Sequence, residues 1–173
     1  MNKEKAKNIL KSVSEVAVPI GAALLFVLFL AQMVSINGQS MEPTFHDGDR
    51  VMIQKVNRNY QPGDIVVIKD VLDRPIIKRV IATGGQTVDI DETAHEIVVD
   101  GVIVPGANYN APNNSTYLPD EEATKFPVTI PEGYIFVLGD NREHSTDSRY
   151  KKIGPIPNEK VMGSVLFRVW PPH

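Results

Sequence analysis

Between Glu15 and Glu42 the chain carries no charged residue, and residues 16–34 (VAVPIGAALLFVLFLAQMV) form one long apolar run. Nineteen residues at a rise of about 1.5 Å each give roughly 30 Å, the thickness of one bilayer hydrocarbon core. Pro19 and Gly21 fall in the first turns, where a helix tolerates them best. A buried core helix is usually shorter and shows a polar stripe. A cleavable leader has a shorter apolar core and a small-residue cleavage site, and no A-x-A follows here. The run therefore reads as a membrane-spanning anchor over residues 16–35, between a tail (1–15) and one outer domain (36–173).

Charge supplies the direction. Lys3, Lys5, Lys7 and Lys11 oppose Glu4 and Glu15 in the tail, about +2, while the whole chain is −3, which leaves about −5 for the rest. Lysines before the span and acids after it put the N-terminus in the cytoplasm and the domain outside the plasma membrane. No basic stretch is present to engage a phosphate backbone, so nucleic acid is not an expected partner. The absence of cysteine excludes disulfides and thiolate metal sites, so the outer domain depends on its packed core.

Beyond residue 38 the pattern changes to short apolar runs between turn signals. Residues 51–56, 65–69, 76–82, 96–99, 102–104, 134–138 and 161–169 read as strands. Asp100-Gly101 between IVV and VIV is a two-residue hairpin signal. Gly48-Asp49, Pro62-Gly63, Gly84-Gly85 and Glu132-Gly133 mark further turns. Residues 105–125, rich in Pro, Asn, Ser and Thr, read as a surface loop. Outside the anchor only residues 145–150 suggest a helical turn, so the expected fold is mostly β.

Three segments could carry chemistry. Ser40 lies in INGQSMEPT, beside glycine and capped by Pro43, where the chain leaves the membrane. Taken alone this is a turn-rich juxtamembrane segment, and Glu42 occupies the second glycine of a G-x-S-x-G elbow. Lys78 lies inside an apolar strand, with Ile76 and Val80 on its face and Ile77, Arg79 and Ile81 on the other. Periodicity does not say which cation points inward, and a lysine snorkelling from an edge strand is the plain alternative. The third segment, residues 137–149, runs from an apolar strand into a polar cluster of both signs. There Asp147 and Arg149 have the spacing to pair. It lacks the glycine and terminal glutamate of a calcium loop. The four histidines are scattered without metal-ligand spacing, so neither metal nor cofactor is expected. Ser148 and Lys151 match S-x-x-K without the companion motifs of a β-lactamase.

Chemistry links the first two segments. A serine hydroxyl needs a base, and an ordinary lysine, pKa about 10.4, is neutral in only about 4 molecules in 10⁴ at pH 7. Desolvation lowers a lysine pKa by several units, at roughly 1.4 kcal/mol per unit. Arginine does not make that shift, which favours Lys78 over Arg79 as a base. Serine–lysine pairs are a known variant of the catalytic triad.

Taken together, GQSMEPT (38–44), QPGDIVVIK (61–69), IIKRVIATGGQTV (76–88), LGDNREHSTDSR (138–149) and the tail 153–171 resemble, in order, the type I signal peptidases of bacteria, in their compact one-span form. The resemblance implies one extracytoplasmic domain of coiled antiparallel β-sheets that removes signal peptides from exported preproteins after small residues at −3 and −1. It implies Ser40 as nucleophile, Lys78 as general base, and Ser145 hydrogen-bonded to the lysine. Asp147 and Arg149 support the site as a salt bridge, with Asp140 also supporting. Gly38, Met41, Pro43 and Ile77 lie on the oxyanion and substrate side, with the Ser40 N–H as an oxyanion donor and the substrate extended beside the strands. The implied partners are signal-peptide-bearing preproteins and the lipid bilayer, with a secretion translocon nearby.

Two departures stand out. Gly38 occupies a position where some members of that family carry a second oxyanion hydroxyl, and Gly85-Gln86 replaces a usual Gly-Asp. Two other readings are a self-cleaving repressor, which would carry a DNA-binding domain and no span, and a catalytically silent membrane-tethered binder. The apolar run opposes the first, and the joint presence of Ser40 and Lys78 opposes the second.

Overall fold

β-Branched and aromatic residues dominate the segments that become strands, because their side chains pack well on a pleated surface. The computed structural model describes residues 13, 15–21, 30–56, 58–91, 93–104, 116–119 and 122–171. Contacts divide the chain into two compact units, Met1–Gln32 and Met33–His173. In the first, residues 13, 15–21 and 30 are helical. Among the described residues no helix is long and apolar enough to cross a membrane, and residues 22–29 of the expected span lie outside those described.

The strands are β1 (Ala31–Ser35), β2 (Arg50–Gln54), β3 (Ile65–Ile68), β4 (Ile76–Thr83), β5 (Thr87–Asp91), β6 (Glu96–Val99), β7 (Val102–Val104), β8 (Val128–Thr129), β9 (Tyr134–Leu138), β10 (Ile156–Pro157) and β11 (Val161–Trp170). They form a seven-stranded sheet, β1-β2-β11-β3-β4-β9-β10, and a four-stranded sheet, β7-β6-β5-β8. The pairings from β2 through β10, and those of the smaller sheet, are antiparallel. The large sheet curls because β11 serves two neighbours in turn. Val161–Ser164 pair with β3 and Ser164–Trp170 with β2, with register shifts along both ladders. Such irregularities bend a strand and increase its twist. A mostly β fold of curled antiparallel sheets is the architecture expected from the sequence.

Among the described residues the core consists of three apolar clusters, and β4 contributes to each. Val80 packs with Val66, Ile68, Ile135 and Val137. Ile81 and Ala82 pack with Phe136, Leu138 and Ile130. Ile77 packs with Met41, Val51, Ile53 and Val67. A strand covered on both sides buries every residue from Ile77 to Ala82, which resolves the ambiguity between its two cations. Lys78 and Arg79 are both buried, at 3% and 8% exposure.

The Asp100-Gly101 signal produces the expected hairpin. Val99 pairs with Val102, and φ is +52° at Asp100 and +79° at Gly101, the left-handed pair that a two-residue primed turn requires. Gln86, in place of aspartate, closes its own turn. Its Oε1 accepts from the Thr83 N–H at 3.0 Å, and its amide donates to Asp100 at 3.1 Å.

Three expectations change. Residues 31–35, assigned to the end of the span, form strand β1. Hydropathy alone does not separate an apolar strand from the end of an apolar helix. Among the described residues of the outer domain, helical turns lie at Arg142–His144 and Asn158–Lys160 rather than within 145–150. The segment 105–125 contains a bridge between Ala123 and Tyr150, while residues 105–115 lie outside those described.

Candidate active site

Ser40 sits in a tight turn made by residues 40–44. The Glu42 N–H donates to Gln39 O at 3.1 Å, and the Phe45 N–H donates to Met41 O at 2.9 Å. Met41 and Phe45 anchor the turn in the third cluster. The loop is closed behind it by Asp49, whose carboxylate accepts the His46 N–H at 2.9 Å and whose carbonyl accepts the Ile36 N–H at 2.8 Å. Arg168 on β11 pairs with Asp49 at 3.4 Å and donates to the Thr44 carbonyl. Ser40 itself is half-buried.

Lys78 reaches the same point from β4. Its Nζ donates to Ser40 Oγ at 2.7 Å and to Ile77 O at 2.8 Å. Burial pushes the Lys78 pKa down from 10.5 to about 8. Asp147 and Asp140 pull it back up, and Arg149 and Arg74 push it further down. Burial prevails because each of those carboxylates is already engaged by an arginine. At a value near 8, roughly a tenth of such amines are neutral at pH 7, against a few in 10⁴ for an ordinary lysine.

Those engagements frame the site. Arg79 binds Asp140 in bidentate fashion, Nε to Oδ1 at 2.8 Å and an η nitrogen to Oδ2 at 2.6 Å. The Thr44 hydroxyl donates to the same Asp140 Oδ2 at 2.5 Å. One buried ion pair thus ties β4, the end of β9 and the Ser40 turn together. On the other side Asp147, fully buried, accepts from Arg149 Nε at 2.8 Å, from Ser145 Oγ at 2.7 Å and from the Gly139 N–H at 3.0 Å. Arg149 also donates to the carbonyls of Tyr117, Arg142 and Ser145. The Asn141 N–H donates to the Ser40 carbonyl at 3.0 Å. Gly139 is required by close approach, since a β-carbon there would lie 2.2 Å from Ser145 Oγ and 2.5 Å from Ser40 O.

The structure brings Ser40, Lys78, Ser145, Asp147, Arg149 and Asp140 into one cluster, with differences in detail. The Ser145 hydroxyl donates to Asp147 rather than to the lysine. A groove of about 140 Å³ opens over the Ser40–Lys78 contact, and Gly38 and Ile77 line it. A second hollow of about 110 Å³ adjoins it, and Ile77 lines that one too. Met41 is fully buried in the core, so its side chain supports the turn and does not face the groove. Pro43 is exposed on that turn. Sequence reasoning missed Thr44, Arg74 and the anchoring role of Arg79. Thr44 and Arg79 lie 96 and 61 residues from Asp140, and no local pattern reports such a partnership.

The family model described as "Signal peptidase, peptidase S26" matches residues 9–170. Signal peptidase I of Bacillus licheniformis is 33% identical over 186 aligned positions, 99% of this chain and 96% of that protein. A probable signal peptidase I-1 of Synechocystis is 33% identical, covering 86% of this chain and 76% of its own. A crystal structure of a signal peptidase I from Enterococcus faecalis is 33% identical, with TM-score 0.47, over 63% of this chain and 97% of that one. The class that the family model and the two relatives define is that of the serine endopeptidases. Within it, the chain belongs to the signal peptidase, peptidase S26, family.

Proposed function

We propose that the protein removes signal peptides from exported preproteins with Ser40 as nucleophile and Lys78 as general base. The observation that carries this reading is the 2.7 Å contact between Lys78 Nζ and Ser40 Oγ, made by an amine that is almost wholly buried. In the neutral amine the direction of that hydrogen bond reverses, and the hydroxyl donates. Ser40 Oγ then attacks the scissile carbonyl carbon, its proton passes to Nζ, and the carbonyl electron pair moves onto oxygen. Among the described residues the Ser40 N–H has no acceptor, and it serves as one donor to the oxyanion. Collapse breaks the C–N bond, and the leaving amine takes the proton from Lys78. Water then attacks the acyl-enzyme with Lys78 again acting as base.

The preprotein lies extended in the groove over Ser40 and Lys78. The small volumes of the groove and the adjoining hollow favour small side chains at −1 and −3. Asp140, Asp147, Arg149 and Ser145 hold the frame around the lysine. The apolar run upstream of β1 tethers the domain to the outer face of the plasma membrane, with the N-terminus in the cytoplasm, near a secretion translocon. Cleavage then occurs where a spanning signal peptide emerges from the bilayer.

The test uses full-length protein in detergent with a preprotein of known signal peptide. Wild type is expected to release the mature chain, while S40A and K78M release none and remain folded. Processing by either variant would contradict the assignment.

A further inference from the structure

Gly38 contributes no donor to the oxyanion site. Acyl-transfer sites hold the developing charge with preorganised donors, usually two, and the Ser40 N–H is one. The Gly38 N–H is not a second, because it donates to Asp47 Oδ1 at 2.7 Å. Gly38 carries no side chain, and its φ of +92° is one that L side chains rarely adopt.

Arg74 stands next to that gap. It is exposed and lines the groove together with Gly38, Ser40 and Lys78. A β-carbon added at Gly38 would lie 4.0 Å from one of its terminal nitrogens. The space that a side chain two residues before the nucleophile would fill is therefore within reach of the guanidinium. Among the described residues Arg74 makes no hydrogen bond or ion pair, unlike Arg79 and Arg149, so its donors are uncommitted.

Resting on the Ser40–Lys78 reading, we propose that Arg74 is a catalytic residue that donates the second hydrogen bond to the oxyanion formed when Ser40 attacks the scissile carbonyl. As the Oγ–C bond forms and the carbonyl electron pair moves onto oxygen, the permanently protonated guanidinium offers a charge-assisted donor. When the C–N bond breaks, the pair returns to the carbonyl and Arg74 is unchanged. Its charge also lowers the Lys78 pKa, in the same direction as burial, so it favours the neutral base before attack and the anion after it.

The test compares wild type, R74K, R74M, S40A and K78M in full-length protein on a peptide spanning a signal-peptide cleavage site. Rates are taken at the alkaline plateau, where Lys78 is neutral in every variant that retains it. A peptide aldehyde of the same sequence, which becomes tetrahedral on a serine nucleophile, serves as the probe of the oxyanion site. One preorganised donor is worth roughly 10²–10³ in kcat, and exposure puts Arg74 at the lower end. R74M is expected to lose about 100-fold in plateau kcat with KM unchanged, to lose aldehyde affinity by a similar factor, and R74K to recover part of both. An unchanged plateau kcat with only a displaced pH profile would overturn the proposal, as would a rise in KM alone. Cleavage by S40A or K78M would instead remove the dyad reading, whatever R74M does.

Discussion

Lys78 and Arg79 are neighbours on β4 and both are buried, yet only Arg79 holds a carboxylate. Arg79 is clamped to Asp140 by two contacts of 2.8 and 2.6 Å. Lys78 directs its amine at a serine hydroxyl and a backbone carbonyl, and among the described residues it forms no ion pair. The arginine offsets Asp140, one of the two carboxylates that raise the lysine pKa, and burial outweighs both. On the proposed dyad, the two cations divide the work of structure and chemistry.

That arrangement costs stability. Holding a lysine near 8 instead of 10.5 costs the fold about 3 kcal/mol at neutral pH. Below about 8 both folded and unfolded lysines are protonated and the cost is complete. Between about 8 and 10.5 only the unfolded lysine keeps its proton, so stability rises with pH, and above 10.5 the cost is gone. K78M is expected to be more stable than wild type near pH 7 by about 1–2 kcal/mol, after the lost hydrogen bonds are subtracted, and to lose that rise. Urea unfolding at several pH values measures both.

Breaking the Arg79–Asp140 pair from one side is expected to be severe. D140N leaves a buried guanidinium without its counter-charge, at a cost of about 3–5 kcal/mol, and leaves one carboxamide oxygen where two carboxylate oxygens served Arg79 and Thr44. An apolar replacement of both partners, R79M/D140L, is expected to recover most of that loss. The urea midpoints of the single and double variants decide the matter. A double variant no more stable than D140N would show that the pair itself is favourable.

Gly139 admits no side chain. G139A places a methyl against Ser145 Oγ and the Ser40 carbonyl, so either the Ser40 turn or the Ser145 loop must move. The expected outcome is a loss of about 1–3 kcal/mol in stability together with a kcat reduction of about 10²-fold or more, since small displacements of reacting groups are costly. Wild-type kinetics in G139A would mean that the turn and the loop are not rigidly coupled.

Asp147 raises the Lys78 pKa, so removing its charge lowers it further. D147N is expected to shift the acidic limb of the pH–rate profile to lower pH while destabilising the fold, because buried Arg149 loses its partner. A limb that moved to higher pH would contradict the electrostatic account.

Much of this was legible from the sequence. The strands of β-branched residues and the Asp100-Gly101 hairpin follow from local preference. β5 escaped notice because Asp89 and Asp91 alternate with Val88 and Ile90, exposed against buried, and interrupt any apolar run. β1 was hidden inside a longer apolar stretch. Ser40 and Lys78 were singled out from chemistry and family resemblance, since lysine, unlike arginine, can be made neutral, and the structure places the two in contact. The ties from Asp140 to Thr44 and Arg79, the turn of the Ser145 hydroxyl toward Asp147, and the proximity of Arg74 to Gly38 depend on contacts between distant segments, which local patterns do not encode.

The central claim is that burial delivers an uncharged amine to Ser40. Direct titration of the Lys78 side-chain nitrogen by NMR, in the full-length protein and alongside its cleavage rate, tests it most directly. The account expects a midpoint near 8 that coincides with the acidic limb of activity. A lysine still protonated above pH of about 10, in a preparation that cleaves its substrate at neutral pH, would contradict it.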